Sequence, residues 1–132
     1  IIKETNGVLF NNTTDQLEIL PIYDVQTPRG PPHRQIDLIA IGRLGEREVY
    51  YLIENKYTMT PITPSDIQRF AERVSRIVEE ESIEDYKALV IQGGEGGYQP
   101  ASIATAIRNG IITITKTGLI QIAKRLGYPK IP

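Results

Sequence analysis

Asp37 and, seventeen residues later, the tripeptide Glu54-Asn55-Lys56 put two carboxylates and an amine at the ends of two apolar runs. Two carboxylates held together repel. Without a cation one of them takes up a proton or the pair destabilises the fold. A divalent ion removes that conflict. Mg²⁺ prefers octahedral oxygen, keeps several waters, and is usually held by one or two protein carboxylates plus a substrate phosphate. Asp37 and Glu54 supply that number, and the backbone carbonyl of Asn55 is placed to be a further oxygen ligand, for Mg²⁺ or for Mn²⁺. Lys56 would set a point positive charge beside the metal-bound water and beside phosphate oxygens that gain charge in an in-line displacement.

The runs that must position these groups are Ile36-Asp37-Leu38-Ile39-Ala40-Ile41 and Val49-Tyr50-Tyr51-Leu52-Ile53-Glu54-Asn55-Lys56. Both are rich in β-branched and aromatic residues and read as strands that carry charge where a buried strand should carry none. The turn-rich segment at 42–47 makes an antiparallel hairpin the natural connection. Side chains alternate along a strand, so Glu54 and Lys56 share one face, Asn55 points away, and Asp37 reaches the shared face from the neighbouring strand.

After Lys56 comes a connector, then Thr63-Pro64-Ser65-Asp66, a strong helix start with Thr63 as N-cap and Pro64 at the first helical position. The helix is predicted to run to about Glu80. Ile67, Phe70, Ala71, Val74, Ile77 and Val78 form one apolar stripe. Arg69, Arg73 and Arg76 share the solvated side with Glu72, Glu79 and Glu80, which suggests a mutually paired face. A short buried strand is predicted over 88–91, and a flexible glycine-rich loop over 92–97. A helix over 101–109 stopped by Gly110, a strand over 111–115 and a helix over about 118–126 complete the chain. Ahead of Asp37 the signals are weaker. Strands are expected around 7–10 and 17–25, the second carrying Pro21 and so an edge or a bulge. A proline-rich loop over 27–34 then brings Arg29, His33 and Arg34 directly in front of Asp37. The fold class expected is α/β: a mixed sheet, antiparallel at first and then β-α-β, with helices on both faces.

Composition narrows the chemistry. The 132 residues fit one domain, 1–132, able to build its own core. Without cysteine there are no disulfides, thiolate zinc sites or cysteine nucleophiles. Fifteen basic against sixteen acidic residues exclude the global positive field of a nonspecific nucleic-acid binder. No apolar stretch approaches the roughly 20 residues that span a bilayer, so the chain is expected to be soluble and cytoplasmic. It opens on Ile1, and the expectation is an N-terminally incomplete fragment.

Ile36-Asp37 followed by Glu54-Asn55-Lys56, on a hairpin ahead of an amphipathic helix, resembles the PD-(D/E)xK nuclease superfamily. Within it the likeness is to the archaeal Holliday-junction-resolvase-like and uncharacterised archaeal nuclease-like branches. It covers roughly residues 22 to 115 by pattern order. The resemblance implies a restriction-endonuclease-like sheet and Mg²⁺- or Mn²⁺-dependent hydrolysis of DNA phosphodiesters. It implies metal and lysine roles for Asp37, Glu54 and Lys56, an auxiliary role for Gln68 near the start of the long helix, and a homodimer. Ile36 replaces the eponymous proline. Relatives place a helix bearing a glutamate before the first strand; Glu4 and Glu18 are the candidates here, or that helix lies outside this sequence.

Plainer readings stand beside these. An E-x-K on a strand is common by chance, and a surface Glu-Lys pair contributes only about 0–1 kcal/mol. Gln68 would complete a capping box if Ser65 were the N-cap. His33 sits in a proline-rich loop, the usual place for a solvent-exposed histidine, and Arg29 and Arg34 either contact phosphate or solvate that loop. The loop at 93–97 lacks the Lys-Ser/Thr of a nucleotide-binding P-loop. The alternative function is a non-catalytic module of the same fold for nucleic-acid binding or assembly.

Overall fold

The computed structural model describes residues 9–11, 16–18, 22–26, 36–44 and 46–125. Strands β1 (Leu9–Asn11) and β2 (Gln16–Glu18) form an antiparallel pair. Among the described residues the main sheet has five strands in chain order: β3 (Ile22–Gln26), β4 (Leu38–Leu44), β5 (Arg47–Lys56), β6 (Tyr86–Gln92) and β7 (Ile111–Ile114). The first two pairings are antiparallel and the last two parallel, the mixed arrangement expected of the sequence. Helices α1 (Pro64–Glu80), α2 (Pro100–Arg108) and α3 (Lys116–Arg125) follow β5, β6 and β7 in turn. No helix among the described residues is long and apolar enough to cross a membrane.

Two details differ from the sequence reading. The single strand expected over 17–25 is two strands in two sheets, because Pro21 falls between them and cannot donate to a ladder. Among the described residues β3 is the edge strand, and its register shifts between Ile22 and Asp24. The hairpin also closes more tightly than expected. Pairing runs on to Leu44↔Arg47, so only two residues separate the last paired positions.

β5 reads as continuously apolar because both of its faces are covered. Leu52, with Ile39 and Ile41 of β4, packs under Ile67, Phe70, Val74 and Ile77 of α1. Tyr51 and Ile53, with Ala40, pack on the other face, which Leu119 of α3 helps to close. α1 begins as its sequence dictates. The Thr63 hydroxyl accepts the Asp66 N–H at 3.2 Å, and the Asp66 carboxylate accepts the Thr63 N–H at 2.9 Å. This reciprocal box pulls the Asp66 carboxyl below its ordinary pKa, chiefly through the Thr63 N–H.

The connector leaving β5 is tied to the loop leaving β6 by backbone hydrogen bonds such as Gly96 N–H to Thr58 O (2.9 Å) and by the side chain of the fully buried Gln92. Its Oε1 accepts the N–H groups of Thr58 (3.1 Å) and Gly94 (3.0 Å), and its Nε2 donates to Thr58 Oγ1 (2.7 Å) and Gly97 O (3.2 Å). Every polar position of the amide is used. The glycines of this loop answer to a close backbone approach rather than to a need for flexibility. A Cβ on Gly94 would stand 2.3 Å from the Thr58 carbonyl oxygen, and one on Gly96 2.1 Å from that of Thr60. Gly97 has φ +66° with open space around it. Gly96→Ala is therefore expected to destabilise by about 1–3 kcal/mol through backbone displacement, against about 1 kcal/mol for Gly97→Ala from conformation alone. Urea unfolding of the two variants checks the order; equal losses would contradict the close approach.

Candidate active site

The alternation of β5 continues past its apolar stretch and sorts the polar residues. Glu54 follows Leu52 to the α1 side of the sheet and Lys56 shares its phase, whereas Asn55 follows Ile53 to the α3 side. Asp37 lies one residue ahead of β4, beyond the last ladder pair Leu38↔Ile53. Its Oδ2 accepts the backbone N–H of Asn55 at 2.8 Å. A side chain thus supplies the rung that the strand would have made, and it fixes Asp37 against the end of β5. The N–H and C=O of one strand residue point to the same neighbour. The Asn55 carbonyl is therefore on the Asp37 side, while that of Lys56 turns to β6 and accepts the Gly93 N–H at 2.8 Å.

Glu54 is 7% exposed and lies at the carboxyl end of a strand that runs parallel to β6. Burial raises its pKa. Arg73 and then Lys56 oppose the rise, and the Asp37 charge adds to it. Asp37, across the gap between the two strands, and Lys56 are thus both close enough to act electrostatically on Glu54.

Arg73 of α1 donates from Nη2 to Glu54 Oε2 in a largely buried ion pair. The Arg73 Nε–H is itself buried without a hydrogen-bond partner among the described residues, and the guanidinium lies 5.9 Å from the centre of the Phe70 ring. This corrects the reading of Arg69, Arg73 and Arg76 as one solvated, mutually paired face. Arg69 does pair locally with Asp66, but Arg73 turns inward. The sequence held one signal for it: Arg73 is three residues from Phe70 and four from Ile77, on the border of the apolar stripe. Arg73→Met should cost about 2 kcal/mol, the scale of a hydrogen bond to a charged group. It should cost much less in a Glu54→Gln background, where no buried charge is left behind. A double-mutant cycle by chemical denaturation measures the difference.

The other expected site residues fall differently. Gln68 is exposed, roughly 140° around the α1 axis from Arg73, so α1 brings Arg73 rather than Gln68 to Glu54. Its alternative reading as a capping-box partner of Ser65 fails, because Thr63 and Asp66 form the box. The Asn55 side chain is exposed on the α3 side, leaving only its backbone near Asp37. Arg29, His33, Arg34 and Glu4 lie outside the described residues. Glu18, the other candidate for a helical glutamate, is in strand β2.

Among the described residues no three His, Cys, Asp or Glu side chains gather to hold a metal ion. What Asp37 and Glu54 offer is a pair of hard carboxylate oxygen donors beside a backbone carbonyl. Arg73 engages one Glu54 oxygen and the Asn55 N–H engages one Asp37 oxygen, each leaving a second oxygen of the same carboxylate. That donor set suits an ion that keeps most of its own waters.

No protein-family model matches the chain, and no curated protein matches it in sequence. Among solved structures, the MspJI restriction endonuclease in complex with a 27-mer oligonucleotide is similar, with a TM-score of 0.53 over 74% of this chain. The fold is restriction-endonuclease-like. At 15% identity the likeness concerns the fold alone, and the chain spans about a fifth of the endonuclease, 21% of its length. On that fold, Asp37 and the Glu54-Asn55-Lys56 strand end occupy the β4–β5 hairpin, and the helix that follows supplies Arg73.

Proposed function

We propose that the chain is a metal-dependent deoxyribonuclease domain that hydrolyses DNA phosphodiesters, among the archaeal Holliday-junction-resolvase-like and uncharacterised archaeal nuclease-like branches of the PD-(D/E)xK nucleases. Asp37, Glu54 and the Asn55 carbonyl would hold Mg²⁺ or Mn²⁺. Such an ion supplies Lewis-acid polarisation of the phosphate and a water of lowered pKa. The chain's own residues do the rest. The Asn55 N–H anchors Asp37, Arg73 keeps the buried Glu54 in place as a carboxylate, and the Lys56 ammonium faces the phosphate oxygens where charge accumulates. Homodimerisation belongs to the same proposal.

The observation that carries this reading is the Asp37–Asn55 hydrogen bond, which draws a carboxylate across the strand gap beside the buried Glu54. Incubation with single-stranded, duplex and branched DNA tests it. Cutting is expected with Mg²⁺ or Mn²⁺ and not with chelator. No cutting of any substrate with either ion would leave the non-catalytic binding or assembly module instead.

A further inference from the structure

A cavity of about 600 Å³ opens on the α3 side of the same sheet end, between the carboxyl ends of β5 and β6 and the first turns of α3. Ile91 and Leu119 give it an apolar floor, Asn55 contributes the amide that β5 turns away from Glu54, and Tyr57 and Gly93 form one wall. Lys116 brings an ammonium group to its rim, and Lys56 lines it at the strand end while its side chain keeps the phase of Glu54 on the other face. Its volume suits a ligand of small-molecule size, and its position outside the carboxyl ends of parallel strands is where open α/β sheets bind ligands.

Tyr57 has no evident folding role. It is 79% exposed, immediately after Lys56, with Met59 72% exposed two residues on. Yet the connector carrying them is not loose, because Gln92 pins Thr58 with two hydrogen bonds. A Cβ on Gly93 would stand 3.4 Å from Tyr57 Cδ2, so the ring lies close along the backbone of the glycine loop. An exposed aromatic face on a pinned connector, over an apolar slot with an amide and the Lys116 ammonium beside it, has the chemistry of a nucleobase platform. Such platforms bind strands whose bases are already free of their neighbours.

We propose that this cavity receives one unstacked nucleotide of the strand being cut, its base against Tyr57 and its phosphate on Lys116, so that the domain prefers single-stranded or unpaired DNA. The proposal rests on the nuclease reading for its substrate. Lys116 is now ion-paired with Glu95, an exposed residue of the glycine loop. An exposed pair of this kind is weak enough for a phosphate to displace. Glu95 is then a competitor of the phosphate, and removing it should strengthen binding.

The test is fluorescence anisotropy with a labelled oligothymidylate, an abasic oligomer of the same length and a hairpin duplex, all in chelator. Oligothymidylate should bind more tightly than the other two. Tyr57→Ala should lower its affinity about tenfold, towards the abasic level, while Tyr57→Phe retains it. Glu95→Ala should raise affinity several-fold and Lys116→Ala should lower it. Equal binding of the three nucleic acids, absence of binding, or an unchanged affinity in Tyr57→Ala overturns the proposal. Because no metal is present, these outcomes are independent of cutting. A chain that cuts DNA but ignores Tyr57 loses only the cavity, and one that binds through Tyr57 without ever cutting loses only the nuclease reading.

Discussion

Lys56→Ala is expected to lower metal-dependent DNA cleavage by at least about 10²–10³-fold, the usual effect of removing one preorganised charge from a transition state. The protein should stay folded. Lys56 is partly exposed at a strand end, and such substitutions typically move stability by about 0.5 kcal/mol or less. Lys56→Arg separates the two things the amine can do. Arginine keeps the positive charge but cannot give up its proton and presents a wider, planar head. If Lys56 acts by charge alone, arginine should recover part of the rate; if it must also deprotonate water, arginine should be as inactive as alanine. Single-turnover cleavage with Mn²⁺ and thermal unfolding of the same samples give both readouts. Wild-type cutting by Lys56→Ala would remove the lysine from the mechanism.

Glu54→Gln should abolish cleavage and yet, without metal, make the protein more stable at neutral pH. Burial raises the folded-state pKa of Glu54 above its unfolded value even though Arg73 and Lys56 oppose the shift. Between those two pKa values the native state binds more protons than the unfolded one. This residue's contribution to stability therefore falls as pH rises through the interval and remains a constant penalty above it. Glutamine has the shape of the protonated acid at every pH. Variant and wild type should be equally stable below the ordinary glutamate range, with the gap opening as pH rises from about 4. Saturating metal reverses the order. At about 100 times its dissociation constant an ion that binds only the native state adds about 2.7 kcal/mol to the wild type, and none to the variant. Thermal unfolding across pH, with chelator and with Mg²⁺, measures all of this. A metal-free variant that loses stability relative to wild type as pH rises would mean that the Arg73 pair outweighs burial.

The sequence made the frame legible because its signals were local. Thr63-Pro64 starts α1 where a proline without an N–H does no harm. The parity of β5 assigns Glu54 and Lys56 to one face without knowledge of anything else. Arg73 was hidden because its role depends on the register of α1 over β5, a tertiary relation that places one arginine over a buried acid and leaves its neighbours in solvent. Gln92 was hidden for a similar reason. Nothing in a lone glutamine after an apolar strand says that its amide will meet Thr58, Gly94 and Gly97. The loop at 93–97 looked permissive from composition, whereas two of its glycines are required by backbone packed on backbone.

Calorimetric titration of Mn²⁺ into the wild type, Asp37→Asn and Glu54→Gln, all free of DNA, tests most directly whether one cation is shared by the two acids. A saturable heat in the wild type that weakens at least tenfold in both variants is the expected result. Equal binding by all three proteins, or no binding by the wild type, would contradict a metal centre built on Asp37 and Glu54.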